Sequence, residues 1–127
     1  MSVQITDVRR YPRFEVLEYA MVEVTGQAVA TRMVLVDIGL GGAQLRSREP
    51  LLVGAVCIVH LHGENERPFD VRAEVRFSAP VPDSDLHMSG LRFLPAGHED
   101  RRAVAEYVTW VFQRQGERGS APQMPEL

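Results

Sequence analysis

The sequence predicts a mainly β fold, a small barrel or sandwich with one α-helix at its C-terminal end. Three observations carry that expectation. Short apolar runs recur at near-regular spacing, divided by Gly, Pro and Asn turn signals, which disfavours a βαβ layout. Val71, Ala73, Val75 and Phe77 alternate with Asp70, Arg72, Glu74 and Arg76, a period of two with one face buried and one solvated. A helical period shows clearly after Pro95 and stops before Gly116.

Taken in order, residues 1–8 form a lead without clear periodicity and are expected to be mobile. Phe14 to Val24 is rich in Val, Tyr and Phe and reads as a strand, turned by Thr25-Gly26-Gln27. Ala28 to Ile38 holds Met33-Val34-Leu35-Val36, a largely buried strand. The glycine-rich corner Gly39 to Gly42 follows, then a short strand through Leu45 that Arg48-Glu49-Pro50 ends. Gly54 opens a strand from Val56 to Leu61, closed by His62-Gly63-Glu64-Asn65. The alternating Val71–Phe77 segment runs to the Pro80–Asp85 loop. Leu86 to Leu94 is the last strand, with Gly90 at a bend or bulge. Glu99 and Asp100 then place negative charge at a helix N-terminus. Val104, Tyr107, Val108, Val111 and Phe112 give the helix one apolar stripe. From Gly116 the composition turns polar and glycine-rich, so residues 116–127 read as a flexible tail and residues 9–115 as the single domain.

Composition narrows function mainly by exclusion. The net charge of −3 gives no global attraction to DNA, RNA or an anionic membrane, so any anion site is local. All 14 basic residues are arginine, which lowers the information in any one arginine and puts the weight on spacing. A single cysteine, Cys57, excludes an internal disulfide and a multi-cysteine zinc site; between Val56 and Ile58 it reads as a buried small hydrophobe. His60 and His62 share a strand face but lack an evident third metal ligand. No GxSxG elbow, Walker loop or HExxH helix is present, so no enzyme activity, metal or cofactor is expected. No run approaches the ~20 apolar residues of a membrane span, and no signal-peptide core follows the N-terminus; a cytoplasmic location is expected. Trp110 lies off the helix stripe and reads as a packing residue or an exposed partner contact.

Two clusters carry chemistry. Arg9-Arg10-Tyr11-Pro12-Arg13 sets guanidinium groups around a proline that argues against a continuous helix. Asp37-Ile38-Gly39-Leu40-Gly41-Gly42 is a carboxylate followed by a corner where backbone can approach a ligand closely. Arginine forks clamp phosphates and read the O6/N7 edge of guanine, carboxylates accept from base N–H groups, and glycine corners present backbone N–H to anions. Together they point to a guanine nucleotide.

These clusters resemble the RxxxR and (D/N)xSxxG motifs of the PilZ domain, the bacterial receptor module for cyclic di-GMP. Arg9 and Arg13 match the first motif, and Asp37 and Gly42 the second; Gly39 stands where the family usually has serine. The order of motifs, the Gly90-Leu91-Arg92-Phe93 strand and the terminal helix extend the likeness over roughly residues 8–115. The resemblance implies an antiparallel β-barrel of about six strands with a C-terminal helix. It also implies cyclic di-GMP as ligand, with Arg9, Arg10 and Arg13 on guanine and phosphate, Asp37 on a guanine N–H edge, and Gly39, Gly41 and Gly42 offering backbone. The arginine segment would close over the nucleotide and signal to an unidentified protein effector or to a second copy of the chain in a homodimer. The alternative is a PilZ-fold protein–protein adaptor that no longer binds the nucleotide, with Gly39 as the mark of decay.

Overall fold

The computed structural model describes residues 13–118. Six antiparallel strands close into a barrel: β1 (Arg13–Val24), β2 (Thr31–Gly39), β3 (Gly42–Ser47), β4 (Val56–His62), β5 (Pro68–Pro80) and β6 (His87–Phe93). Their order around the barrel is β1-β2-β3-β6-β5-β4. Closure leaves no open sheet edge, so each strand finds ladder partners on both sides. The helix α1 (His98–Arg118) follows the last strand.

Alternation explains the core. Val59 and Leu61 of β4, Val71, Ala73 and Val75 of β5, and Leu91 and Phe93 of β6 point inward and are buried. Cys57 joins them as a fully buried hydrophobe, and burial pushes its thiol up to about 11. From α1, Val104, Tyr107, Val108 and Val111 add a buried stripe at helical spacing. Tyr107 stacks on Phe69 at 4.9 Å between ring centroids.

Two expectations need correction, each for a local reason. Phe77 does not continue the buried face of β5; it is 42% exposed. The β5–β6 register shifts between Val75 and Phe77, so one extra β5 residue turns Phe77 outward over Gly90. Phe112, expected in the buried stripe, is 58% exposed and meets the barrel only edge-on, against Phe14 at 5.1 Å. Trp110 is a packing residue, lying partly buried against the core with the Arg114 guanidinium 4.4 Å from its ring.

Two further bulges shape the rim where β1 begins and β2 ends. Against β2, β1 carries an extra residue between Glu15 and Glu18, where Leu17 takes a φ of 55°. Against β3, β2 carries one between Leu35 and Asp37. Bulges re-aim side chains. Here they set the direction of Asp37.

Candidate functional site

Arg13 is the first residue of β1 and lies opposite Gly39, the last residue of β2. Asp37 stands two positions earlier on β2, opposite Glu15, which puts it diagonal to Arg13 on one face of the sheet. The Arg13 guanidinium donates to Asp37 Oδ1 at 3.1 Å, with the side chains only 16% and 21% exposed. The two residues are 24 positions apart in sequence, and the β1–β2 register brings them together. A partly buried ion pair of this kind is held more firmly than one in open solvent.

The glycine corner supplies the rest of the rim. Leu40 and Gly41 link β2 to β3 in two residues, and the Gly41 carbonyl accepts from Phe93 N–H at 3.0 Å. Gly42 pairs with Arg92 across the β3–β6 ladder. A Cβ on Gly42 would lie 2.0 Å from the Leu91 carbonyl oxygen, so this position has no room for a side chain. Gly39 is different. The described glycines with positive φ are Gly26 and Gly54, so Gly39 holds backbone that serine also adopts.

Of the residues picked out in the sequence, Arg13, Asp37, Gly39, Gly41 and Gly42 thus gather at one end of the barrel wall. Arg9 and Arg10 lie outside the described residues. Several neighbours were not legible beforehand. The register runs Glu15–Asp37–Gln44–Gly90–Phe77 across five strands, a single outward row from the ion pair to an exposed aromatic ring. Only the bulge at Val75/Phe77 puts the ring there, and nothing in the alternating sequence signals it. The same strand start is tied to α1. Arg114 pairs with Glu18, Gln115 donates to the Glu15 carbonyl, and Phe112 packs on Phe14.

Other chemistry is sparse. His60 does not pair with His62. Its Nδ1 meets Asp70 at 2.7 Å and its Nε2 meets Glu23 at 2.5 Å, bridging β1, β4 and β5. Hydrogen bonds to Glu23 and then Asp70 raise its pKa above the ordinary histidine value. Among the described residues no cluster of three or more His, Cys, Asp or Glu is set to hold a metal. No described helix is long and apolar enough to cross a membrane. A cavity of about 740 Å³ opens between the Gly63–Phe69 segment and α1, away from the rim and lined by none of its residues. In its lining Glu64 and Glu106 offset Arg67 and Arg102, and neither sequence motif reaches it, so the rim is the candidate site.

Comparison with known proteins decides the family. The model of the PilZ domain matches residues 7–110. The chain belongs to the PilZ family. No curated protein matches this PilZ chain in sequence. Among solved structures it is similar to the PilZ domain of YcgR from Escherichia coli, a structure with c-di-GMP. That likeness has a TM-score of 0.73 and 18% identity, over 89% of this chain and 98% of that one. It is also similar to the Bacillus subtilis inhibitor of motility MotI/DgrA, at a TM-score of 0.66 and 19% identity over 90% of this chain and 54% of that one. A third likeness is to MrkH of K. pneumonia in its c-di-GMP complex, at a TM-score of 0.65 and 17% identity over 90% and 56%. The chain therefore spans about half the length of MotI/DgrA and MrkH, and at these identities the likeness establishes the fold.

Proposed function

We propose that this PilZ domain is a cyclic di-GMP receptor that changes conformation on binding and signals to a protein partner. The observation that carries the reading is the meeting of Arg13 with Asp37 beside the Gly39–Gly42 corner. Each group has a task in nucleotide recognition. The Arg13 fork suits guanine O6/N7 or a phosphate, the Asp37 carboxylate accepts from guanine N–H, and the corner brings backbone close to the ligand. Arg9 completes the arginine motif from the N-terminal side, and Arg10 beside it adds a phosphate contact. The similar structures of YcgR and MrkH, both with c-di-GMP, support the choice of ligand.

Without ligand, Arg13 and Asp37 neutralise each other. Nucleotide must replace or share that pair, so binding and rearrangement of the β1 start are coupled. The β1 start is also where α1 is anchored through Glu18, Glu15 and Phe14, which supports a route from nucleotide to helix. Catalysis has no assigned part in this reading. The second reading, an adaptor that has lost the nucleotide, is favoured by one observation: Gly39 in the serine position.

Isothermal titration with cyclic di-GMP tests the proposal. Saturable binding is expected, and Arg13→Ala is expected to weaken it by ten- to a hundredfold or more, the loss of a charged contact. The same variant should unfold only slightly more easily, by about 1 kcal/mol, because the pair is partly solvated. Absence of heat and of any thermal shift at high nucleotide would favour the adaptor.

A further inference from the structure

Three arginines of the described chain are partly buried rather than exposed: Arg13, Arg46 and Arg114. Asp37 balances the first and Glu18 the third. Arg46 has no carboxylate against it among the described residues, and its Nε is buried without a hydrogen-bond partner. Taking a guanidinium part-way out of water with no opposite charge costs stability and gives none back. Such a group calls for an explanation beyond packing.

Its position supplies one. On β3, Gln44 and Arg46 point outward while Ala43 and Leu45 point into the core. Gln44 pairs directly with Asp37, and Arg46 follows two residues later, opposite Val34 and Met88. Two strand residues span about 7 Å. Arg46 therefore lies on the same outward face as Asp37, one row beyond it, within the span of a dinucleotide seated on the rim.

We infer that Arg46 is a further anion-binding residue of this face, meeting a phosphodiester of the nucleotide; the inference rests on the receptor reading above. A cyclic dinucleotide carries two phosphodiester charges. The arginine motif and the glycine corner serve one end of the ligand, and Arg46 neutralises the charge that lies over β3. A phosphodiester fits better than a base edge because a half-desolvated cation gains more from full negative charge than from a neutral acceptor. Arg46 belongs to neither motif, and the spacing of those motifs gives no hint of it.

Titration of Arg46→Gln with cyclic di-GMP at low and high salt, beside the parent and Arg13→Ala, tests this. Binding ten- to a hundredfold weaker than the parent is expected, with a smaller dependence on salt. The melting temperature should be unchanged or higher, since no ion pair among the described residues is lost. Arg46→Lys should recover most of the salt dependence. If Arg46→Gln binds like the parent while Arg13→Ala does not, the Arg46 inference is overturned and the receptor reading stands. Weaker binding accompanied by a lower melting temperature, or by an unchanged salt dependence, overturns it as well. If the parent itself fails to bind, the receptor reading falls first and this inference with it.

Discussion

Gly42 and Gly90 are both short of room, but the neighbours that crowd them differ in what they can do. A Cβ at Gly42 meets the Leu91 backbone oxygen at 2.0 Å, and that oxygen belongs to the ladder that closes the barrel. A Cβ at Gly90 meets the Phe77 ring at 2.0 Å, and that ring is a side chain 42% exposed, with solvent on one side to move into. Gly42→Ala should therefore destabilise the fold by about 3 kcal/mol or more, and Gly90→Ala by about 1 kcal/mol. Chemical denaturation of both variants checks the order, and an equal cost would mean the Phe77 ring is held in place. Gly39 has no positive φ that would strain a side chain. Gly39→Ser places a hydroxyl on the face shared by Arg13 and Asp37, where one neutral hydrogen bond is worth about two- to twelvefold in affinity. Tighter cyclic di-GMP binding at unchanged stability is expected from titration and melting of this variant. Unchanged binding would show that the position does not touch the ligand.

At the scale of elements, the six strands and the helix were legible because apolar periodicity and turn residues carry the same message locally and globally. What escaped lies at register shifts. The alternation Val71–Ala73–Val75 predicts Phe77 inside, and one inserted residue reverses it. The Arg13–Asp37 contact was legible only as two motifs, since its geometry depends on bulges that no local pattern marks. The His60 cluster is a similar case, because it joins β1, β4 and β5 through side chains remote in sequence. It has a measurable consequence. The folded-state pKa of His60 is raised by hydrogen bonds to Glu23 and then Asp70, so protonation favours the fold. With both carboxylates ionised, that contribution is fully present below the unfolded histidine value of about 6.5 and is lost as pH rises through the higher folded value. The melting temperature of the parent should exceed that of His60→Gln most near pH 6 and converge with it at alkaline pH. A gap that widens with rising pH would mean that the neutral imidazole is the favoured partner.

For the molecule as a whole, Cys57 offers a reporter that needs no engineering. It is the chain's single cysteine, sits on β4 with no exposed surface, and is part of the core rather than the rim. Only the thiolate reacts with an alkylating reagent, and burial raises the Cys57 pKa to about 11, so the folded thiol is doubly protected. β4 pairs with β1 on one side and β5 on the other, and exposing Cys57 requires parting a closed barrel. Alkylation at pH 8 should accordingly follow opening of the barrel, at a rate set by the small open population. A nucleotide that binds the closed barrel lowers that population by a factor of 1 + [L]/Kd, roughly a hundredfold at a hundred times Kd. Cyclic di-GMP is therefore expected to slow Cys57 alkylation in the parent in that proportion, and to do so in Arg13→Ala only at correspondingly higher concentration. GMP at the same concentration, lacking the second nucleotide, should protect far less. Labelling as fast as that of an unfolded thiol would show that β4 opens locally, whereas slow labelling insensitive to cyclic di-GMP would separate a stable barrel from a nucleotide receptor.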